Sequence, residues 1–164
     1  MENKDNHLFA MGQYPFEDLF KHDLIPGKGN QIFYSGMPLM ELKMITGAFT
    51  YNKHYVTGTG WFSCSFIFGD AIEVIVSINP ETSVARVNRI KFYGIYTGTY
   101  QGIGIGITIE ALLRVSDRIS FDEEFILIGK YPYDFIVEID NDRNTIYSLD
   151  DVKTNKITAI IIQI

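Results

Sequence analysis

The sequence predicts an α+β fold, rich in β structure, built as two tandem modules that each set a short helix beside an antiparallel sheet. Three observations lead there. Runs of Val, Ile, Thr, Tyr and Phe with a period of two recur along the chain, the pattern of half-buried strands. A turn-to-helix junction occurs twice: Gly36, Met37, Pro38, Leu39 and Leu42 stand where Gly106, Ile107, Thr108, Ile109 and Leu112 stand 70 residues later. Each junction is followed by about four strand-like segments, so the repeated unit extends past the helix.

The first segment differs from the rest. Pro15 stands at a first helical position, and Phe16, Leu19 and Phe20 follow at helical spacing, which predicts a short helix over Tyr14 to Leu24. Pro26, Gly27 and Gly29 then break it, so residues 1–30 form an N-terminal appendage capping one end of the core. The first module, 31–93, opens with a strand about Gln31 to Tyr34 and a helix from Pro38 to Ile45. Strands follow at Phe49 to Val56 and Trp61 to Phe68, with Thr57 to Gly60 as their hairpin turn, then at Ala71 to Ile78 and Val84 to Tyr93. Arg86, Arg89 and Lys91 make the last of these a basic strand, as expected of a solvated or edge position. The second module, 94–164, places a helix from Thr108 to Ser116 and strands at Glu124 to Gly129, Asp134 to Ile139, Thr145 to Leu149 and Ile157 to Ile164. Strand similarities between the modules give offsets of 61 for Glu73 against Asp134 and 67 for Asn88 against Asn155. The two modules are expected to form one compact domain.

The chemistry-bearing residues exclude more than they identify. Gly102, Gly104 and Gly106 alternate with Ile103, Ile105 and Ile107, but Ile107 occupies the place where a dinucleotide fingerprint needs its third glycine. A strand here offers bare backbone on one face, against which an extended segment of another protein can lie. Asp140, Asp142, Asn144 and Asp151 approximate a calcium loop, but Thr145 replaces the required glycine and strands flank the segment, so a polar turn is expected. His7, His22 and His54 are dispersed and lack metal-ligand spacing. Cys64 shares an apolar strand face with Phe62, Phe66 and Phe68, which marks a packing residue. No catalytic residue, metal or cofactor is expected.

Charge is more informative. The net charge of −6 is concentrated in the second half, where Asp117, Asp122, Glu123, Glu124, Asp150 and Asp151 form a candidate binding surface. Such a surface repels nucleic acid and speeds encounter with basic proteins. Tyr96 and Tyr100 are candidate contact residues because tyrosine combines large area with a polar tip. The lone cysteine, the polar N-terminus and the short apolar runs lead to the expectation of a cytoplasmic protein with no membrane span.

The layout is similar to that of the β-lactamase inhibitory proteins, with their tandem helix-plus-sheet modules, and to the doubled sheets of Whirly-type domains. In size, acidity and β-rich build it also resembles cytosolic immunity proteins of bacterial contact-dependent growth inhibition systems. These resemblances cover about Gln31 to Ile164 and rest on layout, with no family motif matched residue by residue. They imply a non-catalytic protein that binds and occludes a cognate toxin, with a basic nuclease domain as the expected partner. The same layout leaves open a small-molecule or peptide-binding module with an apolar pocket between its sheets.

Overall fold

The structure is a computed structural model that describes residues 7–10, 16–45, 47–56, 62–142 and 145–163, with side chains over 18–45, 63–142 and 145–163. The predicted Thr57 to Gly60 turn lies outside the described residues. In chain order the elements are β1 (His7–Ala10), a 3-10 helix (Phe16–Phe20), α1 (Leu39–Lys43), β2 (Gly47–Val56), β3 (Phe62–Phe68), β4 (Ile72–Ile78), β5 (Ala85–Tyr93), α2 (Ile109–Val115), β6 (Ile119–Phe121), β7 (Ile126–Ile128), β8 (Phe135–Ile139) and β9 (Ile157–Gln163). The strands make one antiparallel sheet in the order β1-β2-β3-β4-β5-β9-β8-β7-β6. No helix among the described residues is long and apolar enough to cross a membrane.

Alternation along the strands divides the sheet into two faces. One face carries Phe66, Phe68, Val74, Val76, Ile90, Phe92, Phe135, Val137, Ile160 and Ile162, all buried. Leu19, Leu24, Phe33, Met37, Leu42, Ile109 and Leu112, from the helices and their loops, complete the same cluster. The fold is therefore a two-layer sandwich, with helices and loops over one side of the sheet. Helix α2 starts where Thr108 Oγ1 accepts a hydrogen bond from Ala111 N (3.2 Å), and Glu110 pairs with Arg114 one turn later at 2.8 Å. At the matching place before α1 stands Pro38, whose side chain makes no cap, and the helix is two residues shorter.

The halves share contacts at a constant spacing. Gly36 N donates to Val87 O and Gly106 N to Ile157 O, both at 2.8 Å; Val87 N donates to Met37 O and Ile157 N to Ile107 O, both at 2.9 Å. Both glycines have positive φ, 80° and 88°, so the turn before each helix needs a residue without a Cβ. Asn88 and Thr158, also 70 apart, are the extra residues of bulges against β4 and β8. The joining strands β5 and β9 pair Arg89 with Gln163, Ile90 with Ile162, Lys91 with Ile161, Phe92 with Ile160 and Tyr93 with Ala159. Exchanging the halves by the 70-residue offset maps this register onto itself, about the Lys91–Ile161 pair. Measured at the bulges, β4 and β8 lie 63 residues apart and β5 and β9 lie 70 apart, where the strand similarities in the sequence have offsets of 61 and 67.

Other expectations need correction. Gln31 to Tyr34 is not a strand, because Asn30 Oδ1 captures the amides of Ile32 (2.8 Å) and Phe33 (2.7 Å) and folds the chain into a turn. Thr145 to Leu149 is irregular; Ile146 is buried, its N–H bound to Glu123 O at 2.8 Å. Of the predicted first helix only the 3-10 turn forms within the described residues. The basic strand is central, fifth of the nine strands among the described residues, and not an edge.

A buried polar chain ties the segments together. Asn30 Nδ2 donates to Tyr96 Oη (3.0 Å), and the Tyr96 hydroxyl donates to His22 O. Burial pushes the Tyr96 hydroxyl up to about 12, against the opposing effect of the Asn30 bond. Below pH 10 the stability that Tyr96 contributes is fully present; above it the unfolded tyrosine ionises first, so the contribution falls as pH rises through 12. Tyr96→Phe is expected to cost about 1–3 kcal/mol at neutral pH by stranding Asn30 Nδ2 and His22 O. It should also remove about 2–3 kcal/mol of alkaline destabilisation between pH 10 and 12. Denaturant unfolding across pH checks both, and parallel pH profiles for the two proteins would contradict the account.

Candidate functional site

Among the described residues the second face of the sheet has no helix over it. One register row crosses all nine strands: His7, Thr50, Ile67, Glu73, Lys91, Ile161, Ile136, Leu127 and Ser120. At its centre Lys91 stands opposite Glu73 and binds Glu138 Oε2 at 2.7 Å. Beside it Tyr93 has a hydroxyl pKa raised by burial and by the charges of Glu73 and Asp70.

Toward β6 the face becomes apolar. Leu127, Ile136 and Ile161 line a groove of about 720 Å³ with Phe121, Tyr131 and Tyr133 along its walls. Tyr131 is 85% exposed, and its ring meets that of Tyr133 edge-on at 5.9 Å. Arg89 also lines the groove, and its Nε is buried without a hydrogen-bond partner among the described residues. An exposed tyrosine beside a half-buried one, over an apolar floor and next to a cationic side chain, is equipped to take apolar and polar contacts from a protein segment. The described strands form a single sheet, so the expected pocket between two sheets has no place; the groove lies on the open face instead.

The predicted site residues fall in several places. Asp117 is exposed just before β6, and Asp122, Glu123 and Glu124 are exposed in the turn just after it. Asp122 is also structural, since its Oδ1 accepts from the amides of Glu124 (2.8 Å) and Phe125 (2.6 Å). Asp150 and Asp151 are exposed in the turn before β9; Asp150 Oδ1 binds Lys153 Nζ at 2.7 Å and raises that ammonium's pKa. No hydrogen bond or ion pair joins this turn's carboxylates to Asp122–Glu124 among the described residues. Tyr96 is a core residue, 3% exposed, which removes it from any contact surface. Tyr100 is half-buried, with its ring 5.7 Å from that of Phe135.

The glycine stretch is not a strand. Tyr100 and Ile103 exchange hydrogen bonds across a tight turn, and Gly102, at φ 83°, is exposed there with nothing within 4 Å of where a Cβ would stand. Its glycine serves the turn's backbone conformation. Gly104 is buried, and a Cβ there would meet Thr99 Cγ2 at 2.8 Å, so the expected open glycine face does not form. Asp140 likewise serves a turn: its carbonyl accepts from Asn155 Nδ2 at 2.5 Å and its Oδ1 from Lys156 N. Asn144 of the approximate calcium loop lies outside the described residues, and among those described no group of three His, Cys, Asp or Glu is placed to hold a metal.

Sequence reasoning missed Arg89, Glu138, Tyr131 and Tyr133 as members of one surface. The available signals were the Tyr-Pro-Tyr turn at 131–133 and the same-face spacing of Arg89, Lys91 and Tyr93.

No protein-family model matches the chain, and no curated protein matches its sequence. Among solved structures it is similar to the crystal structure of the uncharacterized protein yfeY from Escherichia coli, with a TM-score of 0.55 and 15% identity over 86% of this chain and 99% of that one. At this level of identity the likeness is one of fold.

Proposed function

We propose that this chain is a non-catalytic binding protein that holds a partner protein on the open face of its sheet. More narrowly, we propose a cytoplasmic immunity protein that neutralises a cognate toxin, a basic nuclease domain, by covering it. The observation that carries the binding role is the face left without a helix among the described residues, where an apolar floor, the exposed Tyr131, the half-buried Tyr133 and Arg89 line one groove. The net charge of −6 supports a basic partner, through faster encounter and through repulsion of nucleic acid.

An internal duplication is part of the same proposal. Its support is the hydrogen bonds, positive-φ glycines and bulges repeated at a spacing of 70, together with the self-consistent β5–β9 register. Two copies of one small unit, joined through equivalent strands, make a face too broad for either alone. That is the architecture expected of a tandem-module inhibitor.

The groove also favours a second use, binding a small molecule or short peptide in its volume of about 720 Å³. A metabolite that raises the melting temperature while no toxin domain binds would select it.

Titration with toxin domains encoded beside this chain is the direct test: a complex with a Kd of about 1 nM or tighter is expected for the cognate one, and no complex with any counts against the toxin assignment. Tyr131→Ala and Arg89→Ala should each weaken that complex at least about tenfold, with melting temperatures close to the parent's. Unchanged affinity would remove the open face from the account. Glu123→Lys with Glu124→Lys should slow association several-fold in low salt and little in high salt, read by stopped-flow. Asp122 is left in place because it anchors the turn.

A further inference from the structure

We infer that the edge of β6, unpaired among the described residues, is a strand-addition site, taking an extended basic segment of the partner in the position that β1 occupies on β2. The inference rests on the partner-binding role of the open face and says where that partner's backbone would lie.

The sheet is completed on one side only among the described residues. The pseudo-twofold about Lys91 and Ile161 carries β4, β3 and β2 onto β8, β7 and β6, so that Glu73, Ile67 and Thr50 correspond to Ile136, Leu127 and Ser120. Beyond Thr50 the row continues to His7 of β1, while beyond Ser120 it stops among the described residues. The residues that β1 covers on β2, Gly47 to Thr50, correspond at the 70-residue spacing to Asp117, Arg118, Ile119 and Ser120.

The backbone groups of β6 point to the same edge. Arg118 O accepts from Gly129 N (2.9 Å) and Asp122 N donates to Phe125 O (3.0 Å), so both residues face inward, to the β7 side. In an antiparallel ladder alternate residues face opposite ways, which turns the N–H and C=O groups of Ile119 and Phe121 outward at the sheet's edge. An added strand would bond to those groups, and its residue opposite Ser120 would extend the row beside the aromatic groove, which Ser120 and Phe121 also line.

Charge selects the occupant. Residues 117–124 carry four carboxylates against one arginine, flanking β6 at both ends. Proteins that shield an edge tend to place lysine there; this edge carries the opposite sign. A second copy of the chain would bring the same excess of negative charge, whereas a segment with Lys or Arg on either side of a short alternating stretch would meet Asp117 at one end and Asp122 to Glu124 at the other.

The test uses the intact protein and two probes. One is a synthetic peptide of alternating Val and Thr flanked by paired Lys, with controls carrying Glu for Lys or N-methyl groups on alternate amides. The other is the cognate toxin domain. Residue-resolved amide exchange should slow at least about tenfold at Ile119 and Phe121 with the Lys peptide and with the toxin, and at neither site with the controls. Phe121→Pro removes one outward donor while leaving the inward bonds of Arg118 and Asp122; it should weaken both complexes with little change in melting temperature. Should that variant prove less stable, Ser120→Lys, which adds an edge lysine, is expected to weaken them as well. Unprotected Ile119 and Phe121 amides in the toxin complex would overturn the inference. If that complex still depends on Tyr131 and Arg89, the open-face role stands and only the edge site falls; if no toxin binds and the Lys peptide protects neither amide, both fall.

Discussion

The antiparallel pairing of β5 with β9 is the constraint on which the rest of the structure depends. With Lys91 opposite Ile161, the residues Ile90, Phe92, Ile160 and Ile162 all face the helices, and Lys91, Arg89 and Tyr93 all face away. A slip of one residue would reverse one whole half, exposing its core and burying its charges. Joining the halves edge to edge also settles the layering: one sheet, one covered side and one side left over.

The two sides do different work, and magnitudes separate them. A buried Phe, Ile or Val on the covered face contributes about 1.5–3 kcal/mol, so the cluster under α1 and α2 accounts for folding. The Lys91–Glu138 pair, with side chains 26% and 29% exposed, contributes on the order of 1 kcal/mol or less. On the open face the buried Ile161 and Leu127 add to stability, whereas its cations and carboxylates add little. Its composition is better explained by recognition, the role we propose for it, with the acidic ends of β6 attracting a basic partner and the groove beside them supplying contact area.

How much of this was legible in the sequence differs by element. The junctions at Gly36 and Gly106 were visible because a positive-φ glycine, a helix start and a leucine at fixed spacing are hard to reproduce by other means. The central strands were visible through their period of two. That period also misled: apolar strands match nearly as well when slid by two residues, as in the offset of 61 where the bulges give 63, while the Asn88–Asn155 match lies three residues from the 70-residue spacing of the bulges at Asn88 and Thr158. Arg89 and Lys91 suggested an edge because charge on a strand is ambiguous until its neighbours are known. The Gly102 to Gly106 alternation resembled a strand, yet Gly102 and Gly106 each adopt positive φ at a turn, which no periodicity reveals. Strand β6 has three residues, too few for a pattern, and the acidic residues became an edge motif only once the sheet order placed them on either side of it. Tyr96 illustrates the limit of composition, since its polar tip is used inside the protein, on Asn30 and His22.

Amide-exchange mapping of the whole chain, free and saturated with the cognate toxin domain, addresses the central claim most directly. The account predicts that new protection concentrates on β6, β7, the Tyr131–Tyr133 turn and the β6–β7 turn, and leaves α1 and α2 unchanged. Protection confined to the helical side, with the open face and its β6 edge exchanging as in the free protein, would contradict it.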